Sequence, residues 1–108
     1  MSIEKSIIKT SVDTTTKVKF KTLCIQKQLT ISRVLEEIIE DVLNTDRYIP
    51  RDLKFESQNM QIVKAYISQD LKLRFKIFCA ERQIPMNYIL RFLIQNKIKT
   101  EDKIEQHK

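Results

Sequence analysis

Apolar residues recur along this chain with two different periods, and each period is used twice. From Ile7 the run Ile-Ile-Lys-Thr-Ser-Val is β-branched at four of six positions, and Ile62-Val-Lys-Ala-Tyr-Ile67 has the same character. Side chains alternate across an extended strand. Ile8, Thr10 and Val12, with Val63, Ala65 and Ile67, therefore share one face, and Lys9 and Ser11, with Lys64 and Tyr66, the other. Both runs are predicted to be strands of about five residues, with the first set facing a core. The period then changes. Thr16, Phe20, Leu23 and Cys24, and likewise Leu71, Phe75, Phe78 and Cys79, follow the i, i+4, i+7, i+8 spacing of a single helical stripe. A broader stripe comes next: Val34, Leu35, Ile38, Ile39 and Val42 in one place, and Ile89, Leu90, Leu93, Ile94 and Ile98 in the other. That width suits a second helix buried against its neighbours. Asp13 and Ser68 stand where a side chain can accept from the orphan N–H groups of the first helix; Thr30 is placed to do so for the second, and Pro85 to begin one.

The two series are one series repeated. Moved by 55 positions, Ile7 to Leu43 lies without a gap on Ile62 to Ile98, matching Lys9 to Lys64, Lys17 to Lys72, Phe20 to Phe75, Cys24 to Cys79 and Gln28 to Gln83. Similar apolar pairs such as Ile8 and Val63, Val18 and Leu73, and Leu29 and Ile84 keep the same spacing. A copy of this size buries too little to stand alone, so the copies are expected to pack on each other, each strand supplying the other's backbone partners. The predicted division is an N-terminal arm (1–6), a first unit (7–43), a packed linker (44–61), a second unit (62–99) and a charged tail (100–108). The linker holds Tyr48, Ile49, Pro50, Leu53 and Phe55, too apolar for a free tether, and is expected to lie along the surface with one short helical turn.

Composition narrows the function. With 42% hydrophobic and 31% charged residues the chain reads as globular. No apolar run approaches a membrane span and the first ten residues lack a signal-peptide core, so an intracellular protein without a membrane partner is expected. The net charge is +6, and it is uneven: seven basic and six acidic residues in 1–43, three of each in 44–61, ten and five in 62–108. A polyanionic partner fits this excess, as does a merely solvated Lys-rich surface. Cys24 and Cys79 have no adjacent Cys or His to complete a metal site and read as small buried residues, a disulfide between them being the alternative. His107, the one histidine, falls in the tail. With no carboxylate pair, activated nucleophile, phosphate loop or metal cluster, neither an enzyme nor a cofactor nor a small-molecule substrate is expected.

Strand, helix, short turn and helix within 40 residues, with an apolar inner and a polar outer strand face, resembles the ribbon-helix-helix family of DNA-binding transcription regulators of the MetJ and Arc type. The resemblance implies a mainly α fold with a short two-stranded antiparallel β-ribbon, a tandem ribbon-helix-helix pseudo-dimer of the order β-α-α-linker-β-α-α. Tandem forms of this kind are similar to regulators encoded by archaeal viruses, which would place the protein in a host cytoplasm. The partner implied is double-stranded DNA, with the ribbon in the major groove and the second helices' N-termini on phosphates. By that resemblance Lys9, Ser11, Lys64 and Tyr66 would face bases, and Thr30, Ser32 and Arg33, with Asn87 and Tyr88, would face phosphates. Further association of chains along DNA is also implied, whether for repression or activation. Two other readings stand beside it. One is an antitoxin that also holds a toxin through Thr100 to Lys108, and the other is a purely helical protein-interaction module. One departure matters: the family commonly has Gly between its helices, whereas Gln28 and Gln83 stand there and the chain has no Gly, so the turn is expected to close by another geometry.

Overall fold

The computed structural model describes residues 4–53 and 59–106, with side chains as far as 101. Its elements are β1 (Lys5–Asp13), α1 (Thr14–Lys27), α2 (Ile31–Thr45), β2 (Met60–Ser68), α3 (Gln69–Arg82) and α4 (Met86–Gln106). The strands form one antiparallel sheet, pairing from Lys5 with Ser68 to Asp13 with Met60. Lys9 pairs with Lys64, its own equivalent 55 positions on, so the approximate twofold relating the copies passes between these two residues.

The fold class needs correction. What is observed is a mainly helical chain with one two-stranded antiparallel sheet and four helices in the order β-α-α-β-α-α. Its strands are nine residues each in place of two short ones, and nothing in it identifies a tandem ribbon-helix-helix pseudo-dimer. Strand length departs from expectation because a ladder, once aligned, takes in whatever backbone is adjacent. Polar Lys5, Ser6 and Gln61 thus join it despite weak strand character.

Local chemistry explains where the helices begin and end. Asp13 accepts from Thr16 N–H at 3.2 Å, Ser68 from Leu71 N–H at 3.1 Å and Thr30 from Arg33 N–H at 3.1 Å, three side-chain caps where the sequence places them. The Thr16 hydroxyl also bonds the Asp13 carboxylate and holds its pKa below the ordinary carboxylate value. A depressed folded-state pKa makes this cap contribute at neutral pH and fade only as acid titrates the folded carboxylate. The turns between helices close with left-handed residues after all: Gln28 has φ 58° and Gln83 φ 57°. Each sits in a Schellman arrangement, with Gln28 N–H donating to Ile25 C=O and Leu29 N–H to Cys24 C=O, repeated as Gln83 to Ala80 and Ile84 to Cys79. The paired bonds, and Ile84 buried beneath the second of them, offset the Cβ strain that Gly would avoid. Gln28→Gly or Gln83→Gly is therefore expected to stabilise the chain by about 0.5–1 kcal/mol, since roughly 1–2 kcal/mol of left-handed strain outweighs the added freedom of Gly in the unfolded chain. Urea titration checks this, and a lowered midpoint would mean that the Gln side chains themselves secure the turns.

Packing unites the copies into one core. Ile8, Thr10, Val12, Val63, Ala65 and Ile67 are all buried on one face of the sheet, and the apolar ones among them, Ala65 included, share a single core with Phe20, Phe75 and both broad helical stripes. The copies interlock: α1 packs on α4 as well as α2, and α3 on α2 as well as α4. Ile49 of the linker is buried and Leu53 rests on the core, but Tyr48 is exposed and, beyond the end of α2 at Thr45, no helical turn forms among the described linker residues. Phe55 lies outside them. The charged tail predicted from Thr100 is helical as far as Gln106, where Glu101 meets Lys97 at 3.3 Å and Lys27 of α1 at 3.6 Å. His107 is not among the described residues. Val18 and Leu73, which the repeat keeps apolar, are both exposed, so not every matched apolar pair is core.

Candidate nucleic-acid interface

Among the described residues the sheet has one face without cover. Ile7, Lys9, Ile62, Lys64 and Tyr66 are exposed on it and Ser11 is half-buried, so the structure brings the four predicted base-facing residues onto one surface. At its centre Lys9 and Lys64 are directly opposed, and among the described residues neither ammonium has an acidic partner. Tyr66 N–H turns away from β1 toward Ser32 Oγ, which makes its pair with Ile7 a non-hydrogen-bonded one. By the alternation of antiparallel ladders Lys9 and Lys64 are then also such a pair, with Cα atoms only about 4.5 Å apart. Like charges so placed destabilise a sheet. The inner face places Thr10, Val63 and Ala65 under these lysines, so the cations are held by a rigid, apolar support.

Both sheet edges are closed by the second helices and by α3. Along β2, Tyr66 N–H donates to Ser32 Oγ at 3.0 Å, in the first turn of α2. Along β1, Thr10 Oγ1 donates to the Asn87 carbonyl at 2.6 Å, in the first turn of α4. Arg91 Nε donates to the Ser11 carbonyl, and Lys72 Nζ to the Ile7 carbonyl at 2.8 Å. Edge groups of Ile7, Ser11 and Tyr66 are thereby satisfied by side chains, and the first turns of α2 and α4 lie against β2 and β1 respectively. In each first turn helix geometry leaves the leading N–H groups without intrahelical acceptors, at Ile31 and Ser32 and at Met86 and Asn87.

The five predicted phosphate-facing residues fare differently. Thr30 is exposed, its oxygen occupied as a cap and its O–H able to donate. Ser32 is engaged with β2 as acceptor. Arg33 is exposed and turned along its helix toward Glu37, 3.6 Å away, an exposed pair of little energetic weight. Asn87 gives its carbonyl to Thr10, and Tyr88, half-exposed, lies under the Arg91 guanidinium, 5.6 Å from the ring centre. Their backbone flanks the sheet, while only part of their side-chain chemistry points outward.

Several residues that position this face escape a reading of local pattern. Arg91 and Lys72 belong by spacing to solvated helix surfaces, yet Arg91 is buried and both hold β1. Burial pushes the Arg91 guanidinium below its ordinary value while Tyr88 partly opposes this. The clue was the sign change at one repeat position: Arg91 occupies the place of Glu36, which instead pairs with Lys5 at 3.8 Å. Arg82 is likewise tied down, to Asp46 beyond α2, to the Phe78 carbonyl at 3.1 Å and over the Phe78 ring.

Cys24 and Cys79 are free thiols in the core; burial raises both, Cys79 to about 12, so neither offers a thiolate near neutral pH. Among the described residues no group of three or more His, Cys, Asp or Glu side chains could hold a metal ion, and no helix is long and apolar enough to cross a membrane. No family model, curated protein or solved structure matches the chain.

Proposed function

We propose that this chain is a sequence-specific double-stranded DNA-binding protein that regulates transcription, laying the uncovered face of its sheet in the major groove. The observation that carries the reading is the opposed Lys9–Lys64 pair, exposed at the centre of that face and without acidic partners among the described residues. A folded chain gains nothing from two facing cations, whereas a polyanion with guanine O6 and N7 acceptors on its groove floor converts the repulsion into binding. A two-stranded ribbon is of a width that the major groove admits. The leading N–H groups of α2 and α4, one on each side, suit phosphates of the two groove walls, contacts that set register and carry no sequence information. The likeness of each strand-helix-helix unit to ribbon-helix-helix regulators is part of the same proposal.

Footprinting with the full chain on the DNA flanking its own coding sequence tests it. A discrete protected segment is expected, with affinity falling steeply as salt rises, because neutralised phosphates release counterions. Uniform protection of any duplex, or none at protein concentrations in the micromolar range, would overturn the reading.

A further inference from the structure

The six central residues of the uncovered face obey the approximate twofold at all but one position. Ile7 and Ile62 are equivalent and identical, as are Lys9 and Lys64, while Ser11 has Tyr66 as its counterpart. In the register this places Ile7 beside Tyr66 at one end and Ser11 beside Ile62 at the other. Of the outermost outward residues, Met60 is half-buried and the other three are engaged elsewhere. Asp13 and Ser68 cap α1 and α3, and Lys5 pairs with Glu36.

We propose that the chain recognises a directional, non-palindromic DNA site, and that Tyr66 alone sets its direction. This rests on the DNA-binding reading above. The symmetric centre, with one Lys from each strand, suits acceptor edges on both DNA strands, that is, guanines related by the twofold. The ends do not match. The Ile7–Tyr66 end presents a half-exposed aromatic ring beside an aliphatic side chain, a surface for thymine methyl groups. The Ser11–Ile62 end presents the same aliphatic residue, exposed, beside a short hydroxyl that can donate or accept and reaches less far into the groove. With an isoleucine at each end, the two half-sites differ in one contact, the Tyr66 ring at one and the short Ser11 hydroxyl at the other.

The flanking helices differ too, since α2 is capped by Thr30 and α4 follows Pro85. Those differences fall on phosphates, which position the protein without reading sequence. Base preference should therefore become symmetric when the face does, and one substitution does this: Tyr66→Ser gives both strands the outward series Ile, Lys, Ser. The ring stands on the outer surface and its backbone N–H, which Ser32 accepts, is retained.

Selection from a randomised duplex library by the full chain, alongside Tyr66→Ser and Ser11→Tyr, provides the test. For the natural chain a non-palindromic consensus is expected, with inversion of one half-site weakening binding about tenfold, the scale of a base-pair mismatch. Tyr66→Ser should select a palindrome with the polar-end sequence in both halves. Ser11→Tyr should select one with the thymine-bearing sequence in both. A palindromic consensus for the natural chain, or an unchanged asymmetric one for either folded variant, overturns the directional assignment while leaving DNA binding intact. Failure of all three proteins to enrich any duplex overturns the DNA-binding reading itself.

Discussion

Lys9→Ala combined with Lys64→Ala is expected to abolish sequence-specific duplex binding and to leave the melting temperature unchanged or slightly raised. The two effects separate because these side chains do nothing for the folded chain. Both are exposed on the uncovered face, directly opposed, and without acidic partners among the described residues. Removing them relieves a repulsion and exposes no core, since what lies beneath is the intact inner layer of Ile8, Thr10, Val63 and Ala65. In the groove each lysine would contribute about 1–3 kcal/mol of discrimination through guanine acceptors, besides its charge. Losing both reduces specific affinity to the level of non-specific binding. Binding is measured by fluorescence anisotropy on the footprinted duplex and a scrambled one, and stability by thermal melting of the same samples. Lys→Arg at both positions should restore much of the binding, because guanidinium also reaches guanine O6 and N7. Undiminished discrimination by the double Ala variant would remove the central contact of the proposal.

Phe20→Ala and Phe75→Ala are each expected to destabilise the chain by about 3–5 kcal/mol, as large-to-small changes in packed cores do. Both rings are fully buried at equivalent positions of the two copies, in the core that the inner strand residues share. Against a total stability of roughly 5–15 kcal/mol either loss approaches the threshold of folding. Phe75 should be the costlier by about 0.5–1.5 kcal/mol, since its ring also stacks on Phe78 with centroids 6.3 Å apart and planes 17° apart. Urea unfolding followed by circular dichroism gives both values. Midpoints that hardly move would mean that the core closes around the gaps.

What the sequence makes legible is what short-range chemistry decides. The buried strand face, the helical stripes and the caps at Asp13, Thr30 and Ser68 follow from side-chain period and from acceptors placed beside orphan N–H groups. The outward set of Lys9, Ser11, Lys64 and Tyr66 follows from the same alternation. Less legible is whatever depends on a partner far along the chain. Ser32, phosphate-facing by the family resemblance, is drawn to the Tyr66 backbone 34 positions away, and Arg91 to a carbonyl 80 positions away. Strand length depends on how much backbone the other copy aligns, so Lys5, Ser6 and Gln61 are hidden by their own polarity. Gln28 and Gln83 mislead for another reason: without Gly a left-handed turn looks excluded, yet the bonds of Leu29 and Ile84 back to Cys24 and Cys79 sustain it. Val18 and Leu73 carry the opposite lesson, apolar by repeat and exposed in the fold.

The interlock of α1 with α4 and of α3 with α2, around a sheet with one strand from each copy, has a consequence for how the molecule behaves on dilution. Where a two-stranded face is assembled from separate chains, its existence depends on protein concentration, and scarce subunits dissociate before they meet a target. Here the second strand is tethered to the first, and closing the face is an intramolecular event of fixed effective concentration. A single molecule therefore presents the complete two-stranded face, with no concentration below which its strands come apart into separate subunits.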